Sequence, residues 1–223
     1  MAKFDPALLP PAPDLSLEKG LWDLGVVMVC GIDEAGRGAL AGPVTAAAVV
    51  FPAHADLSKR LEGLQDSKQL TAARREAWAA RIHAEAADLS VGSASPREID
   101  RIGILPATHL AAERAVAGLR NPPDHLLLDY LFLPENPLPQ TSLIKGDARS
   151  MSIAAASVLA KVERDDIMRC LDARFPAYGF TAHKGYGTDK HRAAILENGP
   201  SPVHRMTFAP MIDRSEAQPV TQD

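Results

Sequence analysis

Four carboxylates stand at places in this sequence that secondary structure alone has little use for. Asp33 and Glu34 follow directly on the apolar run Val26–Ile32, Asp129 follows Leu126-Leu127-Leu128, and Asp147 follows Leu143-Ile144-Lys145-Gly146. Each reads as the end of a buried strand, the region where open α/β sheets hold their ligands. A buried carboxylate without a partner is costly, and several together repel one another and raise each other's pKa. A divalent cation removes that conflict. Any one of these acids has a better local explanation: Asp147 can cap a helix starting near Ser150, and Asp129 can close a strand. Four of them at strand ends are explained more economically by a hard-metal site. No His/Cys group has zinc spacing, so the all-oxygen set points to Mg²⁺ or Mn²⁺. Two such ions, roughly 3.5–4 Å apart, carry out in-line phosphodiester hydrolysis, and phosphoryl chemistry is therefore the leading class.

The elements that must position these acids can be read from the apolar pattern. Val26–Asp33 and Val44–Phe51 are near-continuous apolar runs, read as buried strands that pair as a hairpin around the Gly-rich stretch Glu34–Pro43. Leu89–Ala94, His125–Phe132 and Thr141–Lys145 are further strand candidates. Helices are predicted over Thr71–Ala86, Pro106–Leu119, Ser150–Phe175 and Asp189–Glu197, with Thr71 as a cap and the small residues Ala154–Ser157 permitting close packing on a sheet. The expected class is an α/β sheet covered by helices. The predicted division is a Pro-rich, extended tail at 1–24, one domain at 25–210, and a loosely ordered tail at 211–223.

Composition narrows the setting. With 223 residues, 46% hydrophobic and 23% charged, the chain can bury a core without staples and is neither disordered nor fibrous. No apolar run is long enough to span a membrane, and the first residues lack the pattern of a secretory signal, so the cytoplasm is the expected location. Cys30 and Cys170 read as two buried thiols. The net charge of −4 argues against indiscriminate coating of nucleic acid. It is unevenly spread: Lys145–Arg192 holds nine Lys/Arg against six Asp/Glu, and the remainder fifteen against twenty-two. That is compatible with a phosphate-facing C-terminal half, and equally with a solvated helix face.

Six ordered blocks then carry a resemblance. Gly31-Ile-Asp-Glu-Ala-Gly-Arg-Gly38 with Ala41-Gly-Pro43, Asp66-Ser-Lys68, Leu127-Leu-Asp129, Lys145-Gly-Asp147, Ile153–Val162 with Arg164-Asp165, and Gly179-Phe180 leading to His183–Thr188 together resemble the type 2 ribonucleases H, in particular bacterial ribonuclease HII. The resemblance implies an RNase H-like fold: a mixed five-stranded sheet flanked by helices, with a C-terminal helical extension. It implies an endonuclease that cuts the RNA strand of RNA–DNA hybrids and incises DNA 5′ to embedded ribonucleotides, leaving a 3′-hydroxyl. Asp33, Glu34, Asp129 and Asp147 correspond to the family's metal-binding catalytic acids. In that scheme Asp33 bridges two ions, Glu34 and Asp129 complete one site, and Asp147 helps to position the ion that activates water.

Gly36, Arg37 and Gly38 match the loop that senses the 2′-hydroxyl, and Tyr186 matches a tyrosine that stacks on the sugar 3′ to the ribonucleotide. The residue types suit those tasks. Glycine lets backbone approach a sugar closely, arginine can grip a phosphate bidentately, and a tyrosine between two glycines in a Lys-containing loop is placed for contact. Lys68, Lys145 and Lys184 are phosphate-contact candidates. His183 and His191 are given no catalytic role, Ser157 reads as packing, and no Gly-x-Ser-x-Gly elbow supports a serine hydrolase. Two alternatives are weighed. A ribonuclease HIII-like enzyme would carry an additional N-terminal substrate-binding domain, for which a first motif at residue 31 leaves no room; a non-catalytic hybrid-binding module would not need all four acids. Ser215–Asp223 lacks the glutamine-then-aromatic pair of a sliding-clamp peptide, and a monomer is expected.

Overall fold

Alternating inward and outward burial would mark a strand with one face in water; here β2 (Val44–Val50) is buried at every position, the pattern of a strand covered on both faces. A computed structural model describes residues 9–53 and 57–211. In it β2 lies between β1 (Val29–Ala35) and β3 (Asp88–Ala94), antiparallel to both, while β4 (His125–Asp129) and β5 (Gln140–Leu143) run parallel beyond β1. The strand order is β3-β2-β1-β4-β5. This is the mixed five-stranded sheet expected.

The helices, in chain order, are α1 (Ser16–Trp22), α2 (Leu57–Arg60), α3 (Ala72–Glu85), α4 (Pro96–Ile102), α5 (Ile104–Ala117), α6 (Met151–Arg174), α7 (Phe180–His183) and α8 (Asp189–Asn198). The two faces of β2 feed two cores. Ala47 and Val49 pack with Ile82 of α3 and Ala154 and Val158 of α6, whereas Ala46, Ala48 and Val50 pack with Ala107, Ala111 and Ala115 of α5. Ser150 caps α6, its Oγ accepting from the Ile153 amide at 3.2 Å. The helix lies so close to β1 that a Cβ on Gly31 would come within 2.2 Å of the Ser152 carbonyl carbon, which is why small residues occupy this contact. The C-terminal extension, α7 and α8 with their connecting turns, closes on Leu40, Ala41 and Met168.

Several expectations are corrected. Residues 16–22 of the predicted N-terminal tail form α1, because the last proline is Pro13 and Leu17, Leu21 and Trp22 then supply an apolar face that packs on Val29, Leu127 and Ile153. Glu18 within α1 is fully buried and its Oε1 accepts from the hydroxyls of Ser150 and Ser152, both at 2.6 Å, and from the Ser152 amide at 2.9 Å. The helix expected from Pro106 starts at Ile104 and is preceded by α4, whose Ser95–Glu98 capping box marks a separate start and whose end is turned by Gly103 at φ 84°. β1 continues through Glu34 to Ala35, and β4 stops at Asp129 because Tyr130 turns left-handed at φ 46°. Cys30 is buried, with its thiol pushed up to about 12 by burial, but Cys170 is exposed on α6. Apart from Met211, the predicted C-terminal tail, including Ser215–Asp223, lies outside the described residues, as do residues 1–8 of the N-terminal one. Among the described residues no helix is long and apolar enough to cross a membrane.

Candidate active site

The parallel register of β1 and β4 pairs Ile32 with Leu128, so the next residues, Asp33 and Asp129, come side by side at the ends of the two strands. After β5 the chain turns through Lys145, left-handed at φ 53°, into a single 3₁₀ turn at Gly146–Ala148. That turn directs the Gly146 amide to Asp129 Oδ1 at 2.7 Å and brings Asp147 alongside. Carboxylate oxygens of Asp33, Asp129 and Asp147 all lie within 4.8 Å of one another, with Asp33 and Asp147 buried. Glu34 stands beside this trio rather than in it, because successive strand residues face opposite sides. Its Oε1 accepts from Arg37 at 3.1 Å, and its Oε2 is buried with no partner.

The electrostatics follow from this convergence. Burial, then the charges of Glu34 and Asp129, hold the Asp33 carboxyl well above the usual carboxylate range, against the opposing Ser157 hydroxyl and Glu34 amide. Asp129 is pushed up to about 6 by burial and then by Asp147. Lys68 answers part of the excess: its ammonium donates to Asp147 Oδ2 at 3.2 Å, and although desolvation works against its charge, Asp66, Asp147 and Asp33 outweigh it and raise its pKa. Three converging carboxylates, two of them with raised proton affinity, and an orphaned buried oxygen on a fourth suit a hard divalent cation. Ser157, expected only to pack, touches this electrostatic group through Asp33 and bonds Ser67 at 2.9 Å.

The glycine loop abuts the acids. A cleft of about 250 Å³ is lined by Asp33, Glu34, Gly36, Arg37, Gly38 and Tyr186, among others. Gly36 has φ 94°, and a Cβ there would sit 1.9 Å from Arg164 Nε, so only glycine fits. Two fully buried arginines shape the loop from within. Arg205 donates to the carbonyls of Gly36 and Arg37, each at 2.7 Å, and of Gly42 at 3.0 Å. Arg164 donates to Pro43, Ala41 and Lys184 carbonyls at 2.9, 3.1 and 3.0 Å, and its guanidinium lies 5.3 Å from the ring centre of the half-exposed Tyr186. Arg164 lies in a block noted in the sequence. Arg205 was missed, and no local signal could have found it, since its loop partners are 168 and 169 positions away.

The lysines divide. Lys68 and Lys145 border a second cleft of about 560 Å³ that shares Asp129 with the first, whereas the Lys184 ammonium is tied to the Thr181 carbonyl at 2.7 Å. His183 and His191 stack 4.3 Å apart, and burial pushes His191 down to about 4. Both rings also pack edge-on against Phe180.

A family model described as Ribonuclease HII matches residues 30–211. The chain belongs to the ribonuclease HII family. A ribonuclease HII from Synechococcus sp. (strain JA-3-3Ab) is 50% identical over 201 residues, covering 90% of each chain. Among solved structures, the ribonuclease H2 from Pyrococcus horikoshii OT3 superposes with a TM-score of 0.69 at 26% identity, over 82% of this chain and 94% of that one. A chain of the PCNA:RNase HII complex from Archaeoglobus fulgidus gives 0.67 at 28% identity, over 82% and 95%. As a member of the ribonuclease HII family, the protein is an endonuclease of the hydrolase class that acts on the RNA of RNA–DNA hybrids.

Proposed function

We propose that this protein, acting as a cytoplasmic monomer, incises duplex DNA 5′ to embedded single ribonucleotides as well as cutting long hybrids, and leaves a 3′-hydroxyl. The observation that carries the reading is a single cleft in which the Asp33 and Asp129 carboxylates adjoin an arginine-held glycine loop and Tyr186. Asp33, Glu34, Asp129 and Asp147 would hold two Mg²⁺ or Mn²⁺ ions. When bound, such ions supply a nucleophilic water at neutral pH and neutralise charge on the departing oxygen.

The chain's own residues define where that chemistry acts. Arg205 draws the carbonyls of Gly36 and Arg37 inward, which leaves the outer edge of the loop to a ribose and its 2′-hydroxyl, the group that separates RNA from DNA. Arg37, held by Glu34 yet largely exposed, is placed to grip a phosphate beside the acids. Tyr186 packs on the sugar that follows, where a deoxyribose fits. Lys68 and Lys145 take phosphates at the rim of the second cleft, and Lys184 contributes through its carbonyl, bound by Arg164, rather than through its ammonium. The convergent acids disfavour a non-catalytic binding module.

The test is incubation with a labelled duplex containing one ribonucleotide, with and without Mg²⁺ or Mn²⁺. A metal-dependent cut on the 5′ side, with an end that a polymerase extends, is expected. No cut, or a cut elsewhere, would sink the reading.

A further inference from the structure

Tyr186 lines the first cleft, yet its backbone has little stiffness of its own, because Gly185, at φ 80°, precedes it and Gly187 follows. Part of what holds it comes from outside the loop. The Tyr186 carbonyl accepts from His191 Nδ1 at 3.0 Å, and His191 Nε2 lies 3.1 Å from His204 Nε2. His204 Nδ1 in turn accepts from the Ser201 amide at 2.9 Å, with the Ser201 hydroxyl 2.8 Å away. A carbonyl only accepts and an amide only donates, so the protons of this chain are fixed from both ends. His191 carries its proton on Nδ1 and offers a bare Nε2; His204 carries its proton on Nε2 and fills it. Both rings are buried, and burial lowers the pKa of each, which favours the singly protonated forms that the chain requires. The next residue, Arg205, holds the Gly36 and Arg37 carbonyls, and its amide donates to the Leu40 carbonyl at 2.9 Å, while the Leu40 amide donates to the Gly185 carbonyl at 2.8 Å. One dipeptide, His204-Arg205, therefore supports the tyrosine loop on one side of the cleft and the glycine loop on the other.

We propose that His191 and His204 are positioning residues for Tyr186, a proton-ordered relay that sets the tyrosine against the sugar following the ribonucleotide. This rests on the cleavage reading above, which gives Tyr186 that sugar. Packing alone does not require the arrangement. Any aromatic ring would fill the place of His204 beside Tyr178 and Phe180, whose ring centres lie 4.8 and 5.7 Å away. Only a ring with one bare and one protonated nitrogen can both accept from Ser201 and donate to His191. A second proton would turn His191 against the His204 N–H, or His204 against the Ser201 amide, and either breaks the relay. Neither ring lines the cleft, so both act on a substrate through Tyr186.

The test reads the relay first in the free protein and then through cleavage. Nitrogen NMR of the histidine-labelled chain at pH 7 is expected to find His191 protonated on Nδ1 alone and His204 on Nε2 alone. The other tautomer, or a doubly protonated ring, at either position overturns the proposal. His204→Phe keeps a ring beside Tyr178 and Phe180 but removes the relay. It is expected to move the Tyr186 ring signals and to cut single-ribonucleotide cleavage by up to about tenfold, the scale of the one stack that it loosens, with a smaller loss on a long hybrid. In a Tyr186→Ala background it should cost nothing further on either substrate. Unmoved Tyr186 signals, a full additional loss in that background, or equal losses on the two substrates overturn the proposal. A second pair of variants covers a His204→Phe chain that does not fold. His191→Phe loses the discrimination between substrates, and His191→Asn, which returns a donor near the Nδ1 position, recovers most of it; no recovery overturns the proposal. If Tyr186→Ala leaves both substrates unaffected, the sugar-stacking reading fails, and moved Tyr186 signals in His204→Phe still establish the relay.

Discussion

Two carboxylate regions of this molecule are built in opposite senses. At the ends of β1 and β4, Asp33 and Asp129 meet other acids, and burial with like charge raises both. At the start of α4, Glu98 accepts from the Ser95 amide and hydroxyl, both at 2.8 Å, and pairs with Arg114 at 2.7 Å, which together hold its carboxyl down to about 2. The fold relieves charge at Glu98 and accumulates it at the sheet ends. Carboxylates that end a strand and face acceptors retain a conflict that only an added cation resolves, whereas a carboxylate given donors stabilises the element that holds it.

Breaking the accumulated side gives the largest effect. Asp33→Asn is expected to lower single-ribonucleotide cleavage by at least about a thousandfold while leaving hybrid binding nearly intact. In EDTA it should also raise the stability by about 1 kcal/mol, because a buried like charge is removed. Retained turnover in Mg²⁺, or a lowered melting temperature, would contradict the comparison. Next in size is Arg205→Met. It strips three buried carbonyls of their donor and is expected to cost about 3 kcal/mol in denaturant melts, with cleavage at single ribonucleotides reduced more than binding to plain duplex DNA. A variant as stable as the wild type would show that the loop holds itself.

How much of this was legible depends on where each residue finds its partners. The unbroken apolar run of β2 and the small-residue run of α6 are local signals, and both elements form as the sequence predicts, although Ser150 rather than Asp147 caps α6. The acids were visible because they interrupt apolar runs. Their number in the close group was not: adjacent strand positions face opposite ways, which sets Glu34 beside the trio. The α4 box was present as Ser95-Pro96-Arg97-Glu98 and went unread behind the later Pro106. For α1, seven residues long, the local signal is weak, and its anchor Glu18 reaches serines 132 and 134 positions away. Arg205 is the extreme case, a buried cation whose partners are backbone carbonyls that no residue type announces.

Smaller changes sharpen the contrast. Tyr186→Ala is expected to reduce cleavage about tenfold on a duplex with one ribonucleotide, the scale of one lost stacking contact, and less on a long hybrid, where every position offers a ribose. Equal losses would remove the stacking role. The smallest effect belongs to the relieved side. Glu98→Gln keeps the geometry of the capping box but loses the charged pair with Arg114, and should destabilise by about 0.5–1 kcal/mol at pH 7. Because the folded carboxyl lies near 2 and the unfolded one near 4.5, the unfolded chain binds the extra proton between those values. Stability from this group is therefore present in full above about pH 4.5 and is lost as pH falls toward 2. The wild type and Glu98→Gln should converge over that window in acid-dependent melts. A gap that stayed constant down to pH 2 would mean that the pairing contributes nothing, and that the capping hydrogen bonds alone order the start of α4.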